Sequence, residues 1–85
     1  TVLVGKTQTA NAQLLSKIAR PKDWWFHARQ MPGSHVLVKW QDDGPLPNPV
    51  VAMAAGLAAF YSTGRDSSRV PVVYTQARHV RAIPD

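Results

Sequence analysis

Eighty-five residues, 9.3 kDa, make one small domain with a single modest core, and a 45% hydrophobic composition argues for a folded chain rather than a disordered one. The absence of Cys excludes a disulfide framework, a thiolate metal site and a cysteine nucleophile. Ten Lys and Arg against five Asp, a net charge of +5, bias the chain toward anionic partners, chiefly nucleic acid, and its longest uncharged stretch, about residues 49–61, is too short to span a bilayer.

The chain opens mid-pattern on Thr1-Val2-Leu3-Val4, with neither an initiator Met nor a signal peptide, and stops at Pro84-Asp85. It reads as a piece of a larger multidomain protein. Thr1 to Val4 is a short strand. Gly5-Lys6-Thr7 is a turn, with Thr7 or Thr9 as helix N-cap. Residues 8–19 have helical spacing, with Ala12, Leu15, Ile18 and Ala19 on one stripe, and Arg20-Pro21 ends that helix. Asp23 to Arg29 and Ser34 to Trp40 are strands joined at Met31-Pro32-Gly33, and residues 41–48 are a loop. Asn48-Pro49 is a strong helix start, Asn as cap and Pro at the first position. That helix runs to about Ser62, before Gly64. Val51, Met53, Ala54, Leu57, Ala58, Phe60 and Tyr61 make it apolar on nearly every side, so it is expected at the buried centre of the domain. Arg65 to Arg69 is a basic loop, Val70 to Thr75 a strand, and Arg78 to Ile83 a further strand. The expected fold is α+β: a mainly antiparallel sheet of four to five strands with two helices, one of them buried and Ala-rich.

Strand alternation assigns two faces to the hairpin. A three-residue loop, Met31-Pro32-Gly33, pairs Ala28 with Val36, Phe26 with Val38 and Trp24 with Trp40, which gives an apolar face. Trp25, His27, Arg29, His35 and Lys39 then share the other. One indole, two imidazoles and two cations suit unpaired RNA, since cations neutralise phosphates and flat rings stack on bases. The competing reading buries Trp25 under the 41–48 loop with His27 bonded to it, and the pattern alone leaves both open.

Other chemistry is weaker. His27 and His35 lack a third metal ligand. Ser34 and His35 point to opposite faces of a strand, so they make no nucleophile–base pair. Gly5-Lys6-Thr7 lacks the upstream glycine of a nucleotide-binding loop; a phosphate at the helix N-terminus and an ordinary turn both remain open. Arg65, Arg69, Arg78 and Arg81 read as a basic rim. The residues call for no metal and no cofactor.

Asp23-Trp24-Trp25-Phe26-His27-Ala28-Arg29, followed by Pro32-Gly33-Ser34-His35-Val36, resembles the D-x-W-F-H-x-R…P-G-S-H-V signature of the NFACT-R domain. Val4-Gly5-Lys6 with Asn11 resembles its opening G-R-N…N segment, residues 54–62 its A-x-x-A-A-x-Y-S helix, and Val70 to Thr75 with Val80-Arg81 its V-P-V-x-Y-T…V-R tail. The resemblance spans nearly the whole chain. It implies a module of the RqcH and NEMF-like ribosome quality control family, some of whose members carry a fibronectin-binding protein A label.

What the resemblance implies is an RNA-binding module of a cytoplasmic factor, one that helps hold its parent on the large ribosomal subunit or tRNA. It would be monomeric as a fragment and would not be an enzyme. The RNA-binding set is Trp25, His27, Arg29, His35, Lys39, Lys6 and Asn11; Gly5, Asp23, Gly33 and Ser34 complete the signature. The alternative is a protein-interaction or adhesion module using the same basic face. Four departures stand out: Lys6 replaces the usual Arg, Thr7 replaces a common Asn, Ala12 replaces an acidic residue, and the basic continuation after Arg81 is missing. The last implies a C-terminal strand left off and an exposed sheet edge.

Overall fold

Alternating apolar residues give four short strands, and the register of each pair fixes what lies on either face of the sheet. The computed structural model describes residues 1–67 and 69–80. In chain order these form β1 (Val2–Val4), α1 (Gln8–Gln13) running into a wide π turn (Leu14–Ile18), β2 (Trp24–Ala28), β3 (Val36–Val38), α2 (Asn48–Phe60), β4 (Val72–Gln76) and a 3₁₀ turn (Ala77–His79). The sheet order is β1-β3-β2-β4, and every neighbouring pair is antiparallel. The expected α+β class holds.

One face carries Phe26, Val36 and Val38, with Trp24, Val2, Val4 and Val72 packed around them. Helix α2 lays Ala54 and Ala58 on this face, both fully buried. Two small residues four apart let the helix axis come close, and Leu46 from the 41–48 loop closes the cluster. Burying Phe26 alone stabilises the fold by about 2–3 kcal/mol. The helix is not buried all round as its sequence suggests. Met53 and Phe60 stay about half exposed, because a single sheet meets one side of it and nothing among the described residues covers the other.

The second face is covered as well. Asn11 Oδ1 accepts the His35 N–H at 3.0 Å, and the Lys39 ammonium donates to the Ile18 carbonyl at 3.0 Å. These two bonds lay the N-terminal helical segment along β3. Leu14, midway between the anchors, is buried, as are Trp25 and Leu37 of the sheet. The inward positions are therefore Asn11 and Leu14, not the Ala12 and Ile18 of the expected stripe; Ala12 is exposed and Ile18 largely so. The π turn explains the change. Ala19 N–H reaches back five residues to the Leu14 carbonyl, and the extra residue in the turn rotates Ile18 outward.

The hairpin register differs from expectation by two residues: Trp24 pairs with Val38, Trp25 with Leu37 and Phe26 with Val36. An even shift leaves each side chain on its expected face. The connection is longer than Met31-Pro32-Gly33 and includes Gln30 in the left-handed region at φ 57°. Toward the C-terminus, Arg78 sits in the 3₁₀ turn rather than a strand, and residues 81–83 of that expected strand, with Arg81, fall outside the described residues.

Asp23 ties these parts together. Its carboxylate, almost fully buried, accepts from Arg20 N–H (2.8 Å), from Trp40 N–H (2.9 Å) and from the Lys39 ammonium. Its carbonyl accepts from Ala77 N–H at 2.7 Å. Burial pushes the carboxyl upward, but the Lys39 bond, the two backbone N–H groups and the Lys39 charge outweigh it and hold the group below its ordinary 3.8.

Such a depressed group stabilises the fold above the usual carboxylate range, and that contribution is lost as pH falls through its lowered value. Urea unfolding should therefore show stability dropping below roughly pH 4, with a shallower drop in Asp23→Asn. Asp23→Ala should cost about 2–4 kcal/mol at neutral pH. Gly56, mid-α2, has open space where a Cβ would stand, so Gly56→Ala should stabilise by about 0.5–1 kcal/mol and raise Tm by several degrees in a thermal melt.

Candidate nucleic-acid interface

Gly5, Asn11 and His35 of the signature meet where β1 leaves the sheet. Gly5 N–H donates to the His35 carbonyl at 2.9 Å, continuing the β1–β3 ladder. The His35 N–H is taken by the Asn11 side chain instead of a strand partner. A Cβ on Gly5 would lie 2.2 Å from Asn11 Oδ1, so only glycine fits under that bond. Thr7 caps α1, its hydroxyl accepting from Ala10 N–H at 3.0 Å.

Trp25, His27 and His35 form a ring cluster. Trp25 stacks on His27 (5.7 Å, 3°) and meets His35 edge-on (5.5 Å, 89°), and the imidazoles stand perpendicular at 5.2 Å. Trp25 and His35 are buried, and His27 alone of the three reaches the surface. Lys39 is engaged by Asp23 and by the Ile18 carbonyl. Arg29 is exposed just past β2, and its N–H bonds the Pro71 carbonyl at 2.8 Å. The five groups thus share a face as the alternation requires, but that face is not open. The α1 segment lies over it, whereas the 41–48 loop, through Leu46, packs on the other side.

What is open is the end of the sheet. A cleft of about 910 Å³ lies between Lys6, the hairpin connection and the C-terminal end of α2. Its walls are joined by backbone. Ser34 N–H donates to the Tyr61 carbonyl and Thr63 N–H to the Pro32 carbonyl, both at 3.0 Å. A Cβ on Gly33 would come within 3.1 Å of the Ser62 Cβ, so glycine permits the approach. The Lys6 ammonium stands 5.2 Å over the Tyr61 ring. Phe60 meets Tyr61 at 5.0 Å and 88°, and is 57% exposed. Lys6, His27 and Arg65 line the cleft together, and Asp66 is the one carboxylate among the described residues that do so.

Of the residues expected to bind RNA, the cleft gathers Lys6, Asn11 and His27. It adds Phe60, Tyr61 and Arg65, which sequence reasoning assigns to a buried helix and a rim. A second cleft, of about 810 Å³, lies at the other end of the sheet, with Arg20, Lys22 and Arg78 around the Asp23–Lys39 pair. There Lys22 is neutralised by Asp43 at 2.7 Å. Among the described residues no group of three or more His, Asp or Glu is placed to hold a metal ion, and no helix is long and apolar enough to cross a membrane.

A family model described as the NFACT protein RNA binding domain matches residues 1–85. The Rqc2 homolog RqcH of Bacillus subtilis is 40% identical over 81 residues, and that of Streptococcus suis 39% over 77 residues. These alignments cover 95% and 91% of the chain but only 14% of either relative. A solved structure of the C-terminal part of the fibronectin/fibrinogen-binding protein from Streptococcus suis superposes with a TM-score of 0.82 at 39% identity, over 91% of this chain and 30% of that one.

The Gly5–Asn11–His35 contact predicts coupled losses. Gly5→Ala should cost about 2–4 kcal/mol through the clash, and Asn11→Ala about 1–3 kcal/mol through the orphaned His35 N–H. The double variant should lose less than the sum, because removing the Asn11 side chain relieves the 2.2 Å clash and leaves only the tight approach to the Asn11 backbone N and Cα at 3.0 and 3.1 Å; a double-mutant cycle in urea reads the difference.

Proposed function

The chain belongs to the NFACT protein RNA binding domain family, and on that footing we propose that it binds RNA through the cleft at the end of its sheet, with Lys6 and Arg65 as the phosphate contacts. The observation that carries this reading is the company those cations keep. Among the described residues they line one cleft with two aromatic rings and a single carboxylate, in a chain of net charge +5. Cations hold the backbone without regard to sequence, and rings beside them receive bases. His27 lines the same cleft, and exposed Arg29 follows it on the hairpin; both extend the basic surface. Lys6 bears on a single phosphate as a point charge, where an Arg would grip two oxygens.

The similarity to RqcH supports a role in ribosome-associated quality control, with the domain helping to hold its parent on rRNA of the large subunit or on tRNA in the cytoplasm. Such a parent engages through several regions at once, so modest affinity in this domain suffices. Its part is binding rather than chemistry. The family description favours RNA over the adhesion reading, and the cleft's cations suit phosphate.

Titration of the labelled chain with a short structured RNA at two salt concentrations tests the proposal. Shifts should cluster on Lys6, His27, Phe60 to Thr63 and Arg65, and affinity should fall steeply with salt. Lys6→Ala and Arg65→Ala should each weaken binding and lower the salt slope by about 0.7–0.9. Lys6→Arg should tighten it. Shifts scattered over all the arginines, or a salt slope unchanged in both alanine variants, would move the interface elsewhere.

A further inference from the structure

The cleft holds one group that neither folding nor phosphate binding explains. Phe60 ends α2 and is 57% exposed at the cleft wall, while the core of the same helix is built from Ala54 and Ala58. Tyr61 meets it perpendicularly, and the Tyr61 ring is in turn covered by the Lys6 ammonium. Tyr61 is thus engaged from two sides, while Phe60 stays 57% exposed in a cleft that Lys6 and Arg65 also line.

We infer that Phe60 is the stacking platform for one unpaired base, so that the cleft takes single-stranded or looped RNA in preference to duplex; this rests on the RNA reading above and names the form of RNA. A ring on a protein can stack only on a base that lacks a neighbour on one side, and bases inside an A-form helix have none to spare. The cleft's volume, about 910 Å³, lies in the small-ligand range of roughly 300–1,000 Å³ and has room for a nucleotide. Lys6 and Arg65 on its walls favour a nucleotide, with phosphates on either side of the base, over an apolar peptide side chain.

The test compares three RNAs on the same 85-residue chain: a uridine octamer, an octamer of the same backbone without bases, and an eight-base-pair duplex. The octamer should bind at least about tenfold more tightly than the baseless strand, and its binding should shift the Phe60 ring protons upfield. Phe60→Ala should lose roughly five- to hundredfold on the octamer and under about twofold on the duplex and the baseless strand. Phe60→Tyr should retain binding, and Met53→Ala, an exposed apolar residue of the same helix, should change nothing.

If Phe60→Ala weakens all three RNAs alike, or none, the platform is refuted while the RNA reading stands on Lys6 and the salt slope. If the wild-type chain binds no RNA of any form, both readings fall. Should Phe60→Ala unfold, the wild-type comparison of octamer with baseless strand decides, since equal affinity overturns the inference.

Discussion

A buried carboxylate holds this domain in register. Asp23 sits at the point where the π turn, β2, β3 and β4 converge, and it bonds to each neighbourhood: Arg20, Lys39 and Trp40, and Ala77. Desolvating a carboxylate costs several kcal/mol, and here two backbone N–H groups and one ammonium offset that cost. The bonds are directional, which apolar contacts are not. With Asp23 opposite Lys39, the hairpin can take one register only, and the faces of the whole sheet follow.

Asn11 acts in the same way at the opposite end of β3. Together the two polar residues clamp a short, weakly apolar helix onto the second face and convert what reads as an exposed polar surface into a covered one. The rings of Trp25 and His35 then serve packing. A sheet covered on both faces has only its ends and edges to offer a partner, and the end beside Lys6 is where cations and aromatic rings gather.

Much of this is legible in the sequence. The four strands, the central helix with its Pro near the start and the separation of the hairpin faces follow from alternation and the Asn48-Pro49 signal, although Pro47 rather than Asn48 is the N-cap and no side chain caps the helix. The register does not, because the hairpin connection uses a left-handed Gln30, a conformation that Gly or Asn would have advertised. The inward stripe of the helical segment 8–18 is misplaced because one of its two buried positions, Asn11, is an amide, which hydrophobic periodicity cannot register, and a π turn then shifts the phase. The cleft depends on Gly33 lying against Ser62, a contact between segments far apart in sequence; Phe60 reads as core because nothing local says which side of an apolar helix stays uncovered.

The sheet order leaves β4 at an edge with no strand beyond it among the described residues. Its sequence, Val72 to Gln76, has no charge, and Val73 and Tyr74 are well exposed, a composition that invites a second copy to add its own strand. The flanks answer that invitation. Arg69 lies before the strand and Arg78 after it, both exposed, so a copy pairing antiparallel would bring like charges together at both ends. The cationic character that suits a phosphate backbone would thus also oppose that pairing, and a solution that neutralised those arginines would remove the opposition.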